Sequence, residues 1–90
     1  MKESYELTIL TEKDELETIR EFLNSHHLEG YKLTDDGEKT LAYSIQGCEK
    51  AHYYFVNQLL LSSSQARQIE NDLYANYWSL RHLLLRVNRK

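Results

Sequence analysis

Four histidines, one cysteine and a cluster of carboxylates are the side chains of this chain that could do chemistry, and spacing decides against each. A structural metal such as zinc needs about four nitrogen, sulfur or oxygen ligands converging on one point. His26 and His27 are neighbours at what reads as a helix end, so their rings diverge. His52 and His82 fall in separate strand patterns, with no Cys or carboxylate at ligand spacing beside them. Cys48 has no Cys or His partner in a recognisable motif, and a thiol becomes nucleophilic only where such a neighbour lowers its pKa. It reads as an inert loop thiol, and being single it excludes an internal disulfide. Glu12, Asp14, Glu15 and Glu17 crowd the start of a helical pattern, where the helix dipole favours negative charge. They read as a solvated helix start. No catalytic residue, metal or cofactor is expected.

A second set of residues speaks of binding. Net charge is −3, but residues 1–38 hold 11 acids against 4 Lys or Arg, and residues 39–90 hold 3 acids against 7. Screening confines each charge to roughly 8 Å at physiological salt, so an acidic protein with one basic side can dock phosphate there. An unevenly charged solvated surface fits the same counts. The basic set is Lys2, Arg81, Arg86, Arg89 and Lys90, suited to phosphate contacts that position RNA without reading its sequence. Lys2 and Lys90 fit a solvated edge equally well. Tyr43 fits either a core position or a stack on an unpaired base.

Elements must hold these groups in place. Tyr5, Leu7 and Ile9 alternate with Glu6 and Thr8, which predicts a first strand with one buried side. Thr11 is expected to cap a helix by accepting the N–H of Lys13 or Asp14. Leu16, Ile19 and Leu23, with Phe22 beside them, recur at helical spacing up to Asn24-Ser25-His26. A second strand starts near Gly30, bends at Asp35-Asp36-Gly37 and resumes through Thr40 to Ile45. Two strands with a hairpin at Asp36-Gly37 are the alternative, but Gln46 to Lys50 is the better reversal. The third strand spans about Ala51 to Leu61. Ser62-Ser63-Ser64 caps a second helix, buried along Ala66, Ile69, Leu73 and Tyr77 and ending near Asn76. Leu80 to Val87 makes the last strand.

Two strand–helix–strand units in this order predict an α+β ferredoxin-like plait, βαββαβ, with both helices on one face of a four-stranded antiparallel sheet. Right-handed crossovers place the first and third strands in the centre. One domain covers residues 1–90. On the sheet side away from the helices the reading places Glu6, Thr8, Tyr54, Val56, Leu84 and Arg86. An apolar outer face is unusual where helices cover only one side. Thr8, Tyr54, Val56 and Leu84 are therefore expected to form a protein-partner surface.

Tyr5-Glu6-Leu7, Gly37 four residues before Leu41-Ala42-Tyr43, Ile45 and the aromatic strand Tyr53 to Phe55 add a resemblance. So do Ile69, Leu73 and the closing Arg81-His82-Leu83-Leu84-Leu85. Over nearly its full length the chain resembles the bacterial small-subunit ribosomal protein S-six family. Ser44 stands where that family usually has proline, and the hairpin link is short. The resemblance implies no catalysis. It implies a structural constituent of the small ribosomal subunit that binds small-subunit rRNA together with ribosomal protein S-eighteen, the latter lying on the sheet away from the helices. RNA-binding residues would be Lys2, Tyr43, Arg81, Arg86 and Arg89.

Two other functions share the element order. An RNA-recognition-motif-like module outside the ribosome would stack bases on its third strand, and His52-Tyr53-Tyr54-Phe55-Val56 is aromatic enough, but the usual Lys/Arg-Gly-Phe/Tyr pattern is absent. An acylphosphatase-like enzyme would need an Arg-bearing phosphate loop after the first strand, and Leu10-Thr11-Glu12-Lys13 is acidic and lacks glycine. No apolar run reaches the ~20 residues of a membrane span, and the N-terminus opens directly on a strand pattern, without a signal sequence. The expected location is the cytoplasm, on ribosomes.

Overall fold

A computed structural model of the chain describes residues 2–76 and 78–87. The elements run β1 (Glu3–Thr11), α1 (Leu16–Ser25), β2 (Lys32–Ile45), β3 (Cys48–Leu61), α2 (Ser63–Ala75) and β4 (Ser79–Arg86). The sheet order is β2-β3-β1-β4, every neighbour antiparallel. Each helix carries the chain over one intervening strand, and the two central strands are the first and third. This is the ferredoxin-like plait.

One core joins both helices to one face of the sheet. Ile19 and Leu23 of α1 and Ala66, Ile69 and Leu73 of α2 pack on Leu7, Ile9, Tyr54, Val56, Leu59 and Leu61. The helical spacing in the sequence therefore marked the buried stripes correctly; Tyr77 lies outside the described residues. The Ser62 hydroxyl accepts the Gln65 N–H while the Gln65 side chain accepts the Ser62 N–H, closing a capping box at the start of α2.

At α1 the expected cap is corrected. Thr11 is the last residue of β1, fully buried, and its hydroxyl donates to the Lys13 carbonyl. The helix start is served instead by Asp14, whose Oδ1 accepts the Leu16 N–H at 3.0 Å. A second tie comes from across the core. The Tyr54 hydroxyl accepts the Glu15 N–H at 2.9 Å and donates to the same Asp14 oxygen at 3.0 Å. The Leu16 N–H and then the Tyr54 hydroxyl hold the Asp14 carboxyl below its ordinary pKa. Burial, reinforced by Asp14, pushes the Tyr54 phenol up. Tyr54 is thus a strut between the central strand and the first turn of α1.

β2 is one long strand with a bulge. The pairing steps from Asp35 opposite Tyr54 to Gly37 opposite Tyr53, Gly37 has φ +80°, and the Asp35 carboxylate accepts its N–H at 2.8 Å. The turn to β3 is Gln46-Gly47, with φ of 49° and 81°. Two successive positive φ values match the right-handed twist of the flanking strands, and Gly47 supplies the second without steric cost. Four residues, Leu41 to Ser44, lie between the Thr40–Lys50 and Ile45–Cys48 pairs, against Glu49 alone on β3.

A third irregularity decides which residues face out. Tyr5 pairs with Leu59 but Leu7 pairs with Val56, so Asn57 and Gln58 together oppose Glu6, and Gln58 takes φ +59°. Side chains alternate with a strict period of two, so one extra residue reverses the face of everything after it. Leu59 and Leu61 thereby join Tyr54 and Val56 inside the core, not Phe55. The expectation that Tyr54 and Val56 form an outer surface is overturned, since both are 0% exposed. Leu84 is also reassigned: opposite the buried Leu7, it packs partly against the core. Arg86, opposite Tyr5, is on the helix side too. Among the described residues no helix is long and apolar enough to cross a membrane.

Candidate functional site

The sheet face away from the helices is built from the rows that pair with Glu6, Thr8 and Leu10 of β1. Leu85 stands opposite Glu6, Phe55 and Leu83 flank Thr8, and Tyr53 and Arg81 flank Leu10. Thr34, Gly37 and Lys39 of β2 extend these rows to the edge, and Leu60 adds a further apolar group opposite Ser4. Leu60, Leu83 and Leu85 are 58%, 54% and 51% exposed. Half-buried Tyr53 and Phe55, on the same strand as Leu60, lie between Leu83 and Leu85 of β4 and the β2 edge. The Lys39 ammonium sits 5.2 Å from the centre of the Tyr53 ring, a cation–π distance that confirms their common face.

A bare apolar sheet face is therefore present, with a different membership from that expected. Thr8 stays on it. Tyr54, Val56 and Leu84 leave it, and Tyr53, Phe55, Leu60, Leu83 and Leu85 take their places. In β4 both alternating rows are rich in leucine, so only the pairing of Leu84 with Leu7 assigns them. In β3 the reversal at Gln58 carries no glycine or proline to announce it.

The basic residues do not gather into one patch. Arg81 pairs with Leu10 and Arg86 with Tyr5, five residues apart on β4, or roughly 17 Å at the rise of an extended strand. They also fall on opposite faces. Arg86 is occupied by Glu3, Nη1 to Oε2 at 3.4 Å. Lys2, exposed, precedes β1 at the Arg86 end of the sheet. Tyr43 is 86% exposed on the hairpin arm at the other end, which removes the core alternative for it. Arg89 and Lys90 lie outside the described residues.

The remaining reactive groups are dispersed. His26 Nε2 contacts Asp72 at 2.8 Å, tying the end of α1 to α2. His52 lies 3.8 Å from Glu38 and stacks near Tyr54. His82 meets the Tyr74 ring edge-on at 4.7 Å. Cys48 is a free, partly buried thiol at the start of β3. Among the described residues no three His, Cys, Asp or Glu side chains converge in a way that could hold a metal.

Fold and site define a small plait with one open sheet face. Among solved structures it is similar to the 30S ribosomal protein S6 of Thermotoga maritima, with a TM-score of 0.78 and 14% identity over 97% of this chain and 89% of that one. It is also similar to a putative PII-like signalling protein of Thermus thermophilus (TM-score 0.61, 17% identity, 93% of this chain, 85% of that one). A third similar structure is CPII of Thiomonas intermedia bound to ADP, AMP and acetate (TM-score 0.59, 12% identity, 96% and 89%). No family model matches the sequence. At these identities the likeness establishes the fold.

Proposed function

We propose that the chain is a non-catalytic structural constituent of the small ribosomal subunit, held there by small-subunit rRNA and by ribosomal protein S-eighteen laid against the open sheet face. The observation that carries this reading is the exposure of Leu60 on β3 and of Leu83 and Leu85 on β4, each more than half open on the side the helices leave bare, on either side of Ser4, Glu6 and Thr8 of β1. A single exposed leucine is ordinary, but three on one sheet face, beside the outward Tyr53 and Phe55, mark a contact surface. The higher TM-score to the ribosomal protein than to the two PII-type proteins supports the same reading. On this reading the chain resides on cytoplasmic ribosomes and needs no cofactor.

A second reading has one specific observation behind it. Tyr53 and Phe55 lie two apart on a central strand and both face outward, an arrangement on which successive bases of single-stranded RNA can stack. The test separates the two. A tagged chain is fractionated from its own cells on a sucrose gradient, beside a Leu83→Ser, Leu85→Ser variant. The ribosomal reading expects the wild type in the small-subunit fractions and the variant, still folded by circular dichroism, in the free-protein fractions. Wild type found only in free-protein fractions would refute it. In that case, isolated chain binding oligouridylate, with a loss on Tyr53→Ala, would establish the second reading.

A further inference from the structure

The two edges of the sheet are guarded unequally. An edge strand offers unpaired N–H and C=O groups to any incoming strand, and proteins blunt such edges with charges and bulges. β2, at one edge, has both: Lys32, Asp35, Asp36, Glu38 and Lys39, and the bulge at Gly37. β4, at the other edge, runs through Leu83-Leu84-Leu85 and contains no acid. Its register against β1 is unbroken from Arg81 to Arg86. The Val87 N–H donates to the Ser4 carbonyl at 2.8 Å, so Val87, Leu85 and Leu83 turn their backbone groups toward β1. By alternation His82, Leu84 and Arg86 turn theirs to the open edge, where among the described residues no strand pairs with them.

The side chains beside this edge are apolar on both faces. Leu83 and Leu85 are more than half exposed on the open face. On the helix face a groove of about 370 Å³ lies between α2 and β4, and Tyr5, Ala66, Tyr74 and Leu84 form its apolar part. Charge selects the occupant. β4 carries Arg81, His82 and Arg86, and Glu3 already holds Arg86 at 3.4 Å. A second β4, laid antiparallel about a two-fold axis at Leu83, sets Leu83 against Leu83, His82 against Leu84 and Arg81 against Leu85. No cation then faces another. His82 and Leu84, whose backbone groups point outward, become the hydrogen-bonded pairs, and Leu83 meets its copy at the closer, non-bonded position. A slip of two residues in either direction sets His82 opposite His82 or opposite Arg86. The strand is therefore complementary to itself in one register.

We infer that two copies of the free chain join edge to edge through β4, making one continuous sheet from the four strands of each. Main-chain bonds along the edge hold the copies together, and the Leu83 pair fixes the register. The groove beside α2 receives His82 of the second copy next to Leu84. Such a contact uses the same patch on both copies, so it closes at two and leaves a guarded β2 at each outer edge. The inference does not rest on the ribosomal reading. The open face stays uncovered on both copies and remains free for a protein partner.

The experiment is sedimentation equilibrium of the full chain over a range of micromolar concentrations, with circular dichroism melts to confirm that each variant folds. His82→Pro removes one outward N–H and leaves the ladder to β1 intact. Leu83→Lys and Leu83→Glu each set like charges against one another at the axis. The wild type is expected as a monomer–dimer equilibrium, and each variant alone should weaken it about tenfold. An equimolar mixture of Leu83→Lys and Leu83→Glu should restore the dimer, because a lysine then faces a glutamate. A wild type that stays monomeric overturns the inference, as does a dimer unchanged in all three variants. Dimers lost in the single Leu83 variants and not regained on mixing refute the axis at Leu83. Species larger than two copies refute the closed pairing. If His82→Pro fails to fold, the two Leu83 variants decide alone. Each of these results leaves the ribosomal reading to its own gradient test.

Discussion

Replacing Tyr54 by Phe isolates the strut that joins the central strand to the start of α1. The ring stays and fills the same volume, so no cavity term enters. What leaves is one hydroxyl with two bonds, the donation to the Asp14 carboxylate at 3.0 Å and the acceptance of the Glu15 N–H at 2.9 Å. The Asp14 carboxylate is exposed and solvent screens its bond, but the partly buried Glu15 N–H is left without its acceptor, which costs about 1–3 kcal/mol. The expected loss is about 2 kcal/mol. For a domain of this size each 1 kcal/mol moves the melting temperature by about 4–8 °C, so Tm should fall by about 10 °C or more. Thermal and urea melts at pH 7 by circular dichroism read this directly. Asp14→Asn keeps an acceptor for both the Leu16 N–H and the Tyr54 hydroxyl but loses the charge, and should melt between the wild type and Tyr54→Phe. The reasoning fails if Tyr54→Phe melts within two or so degrees of the wild type, roughly the shift of a surface substitution.

The same contact sets a pH dependence. The Leu16 N–H and the Tyr54 hydroxyl hold the Asp14 carboxyl below its ordinary value of 3.8, so its stabilisation is complete above that value and is lost as pH falls through the lower folded value. The stability gap between wild type and Asp14→Asn should therefore close on acidification below pH 3.8; a gap constant from pH 7 to 2 in urea titrations would contradict the assignment. At α2, Ser62→Ala removes half of the capping box and should cost about 1 kcal/mol, or several degrees of Tm. A shift under one degree would mean that another group takes the Gln65 N–H.

How much of this was readable from residue order divides along one line. Period and punctuation carried the elements. Leu16, Ile19 and Leu23 marked α1, Asp35-Asp36-Gly37 marked a bulge, Gln46-Gly47 marked the reversal, and Ser62 marked the start of α2. These signals are local, because each depends on a few neighbouring side chains and the backbone they favour. The composition of the open face is not local. It depends on which row of β4 lands beside Leu7, and both rows are leucine-rich. It depends also on Gln58 in a left-handed conformation, which costs roughly 1–2 kcal/mol and is maintained by burying Leu59 and Leu61. The helix start illustrates the same limit. Thr11 has the chemistry of a cap, yet the groups that serve the start of α1 are Asp14 and Tyr54, the latter 39 residues beyond the Glu15 whose N–H it accepts. An outer face both apolar and partly cationic was legible as a property of the sheet, while its individual members were settled only by pairing.

The placement of β1 has a further consequence for how the chain is made. Both its neighbours are encoded downstream, β3 beyond the middle and β4 near the far end, with Tyr5 ultimately facing Arg86. During synthesis one edge of the first strand waits until β3 has been made, and its other edge, where Leu7 meets Leu84, until β4 has been made as well. Closing so large a loop is entropically slow, and only then does each contact reward the next. Assembly should be all-or-none, and nascent chains interrupted before Leu84 should be the ones that nascent-chain chaperones hold.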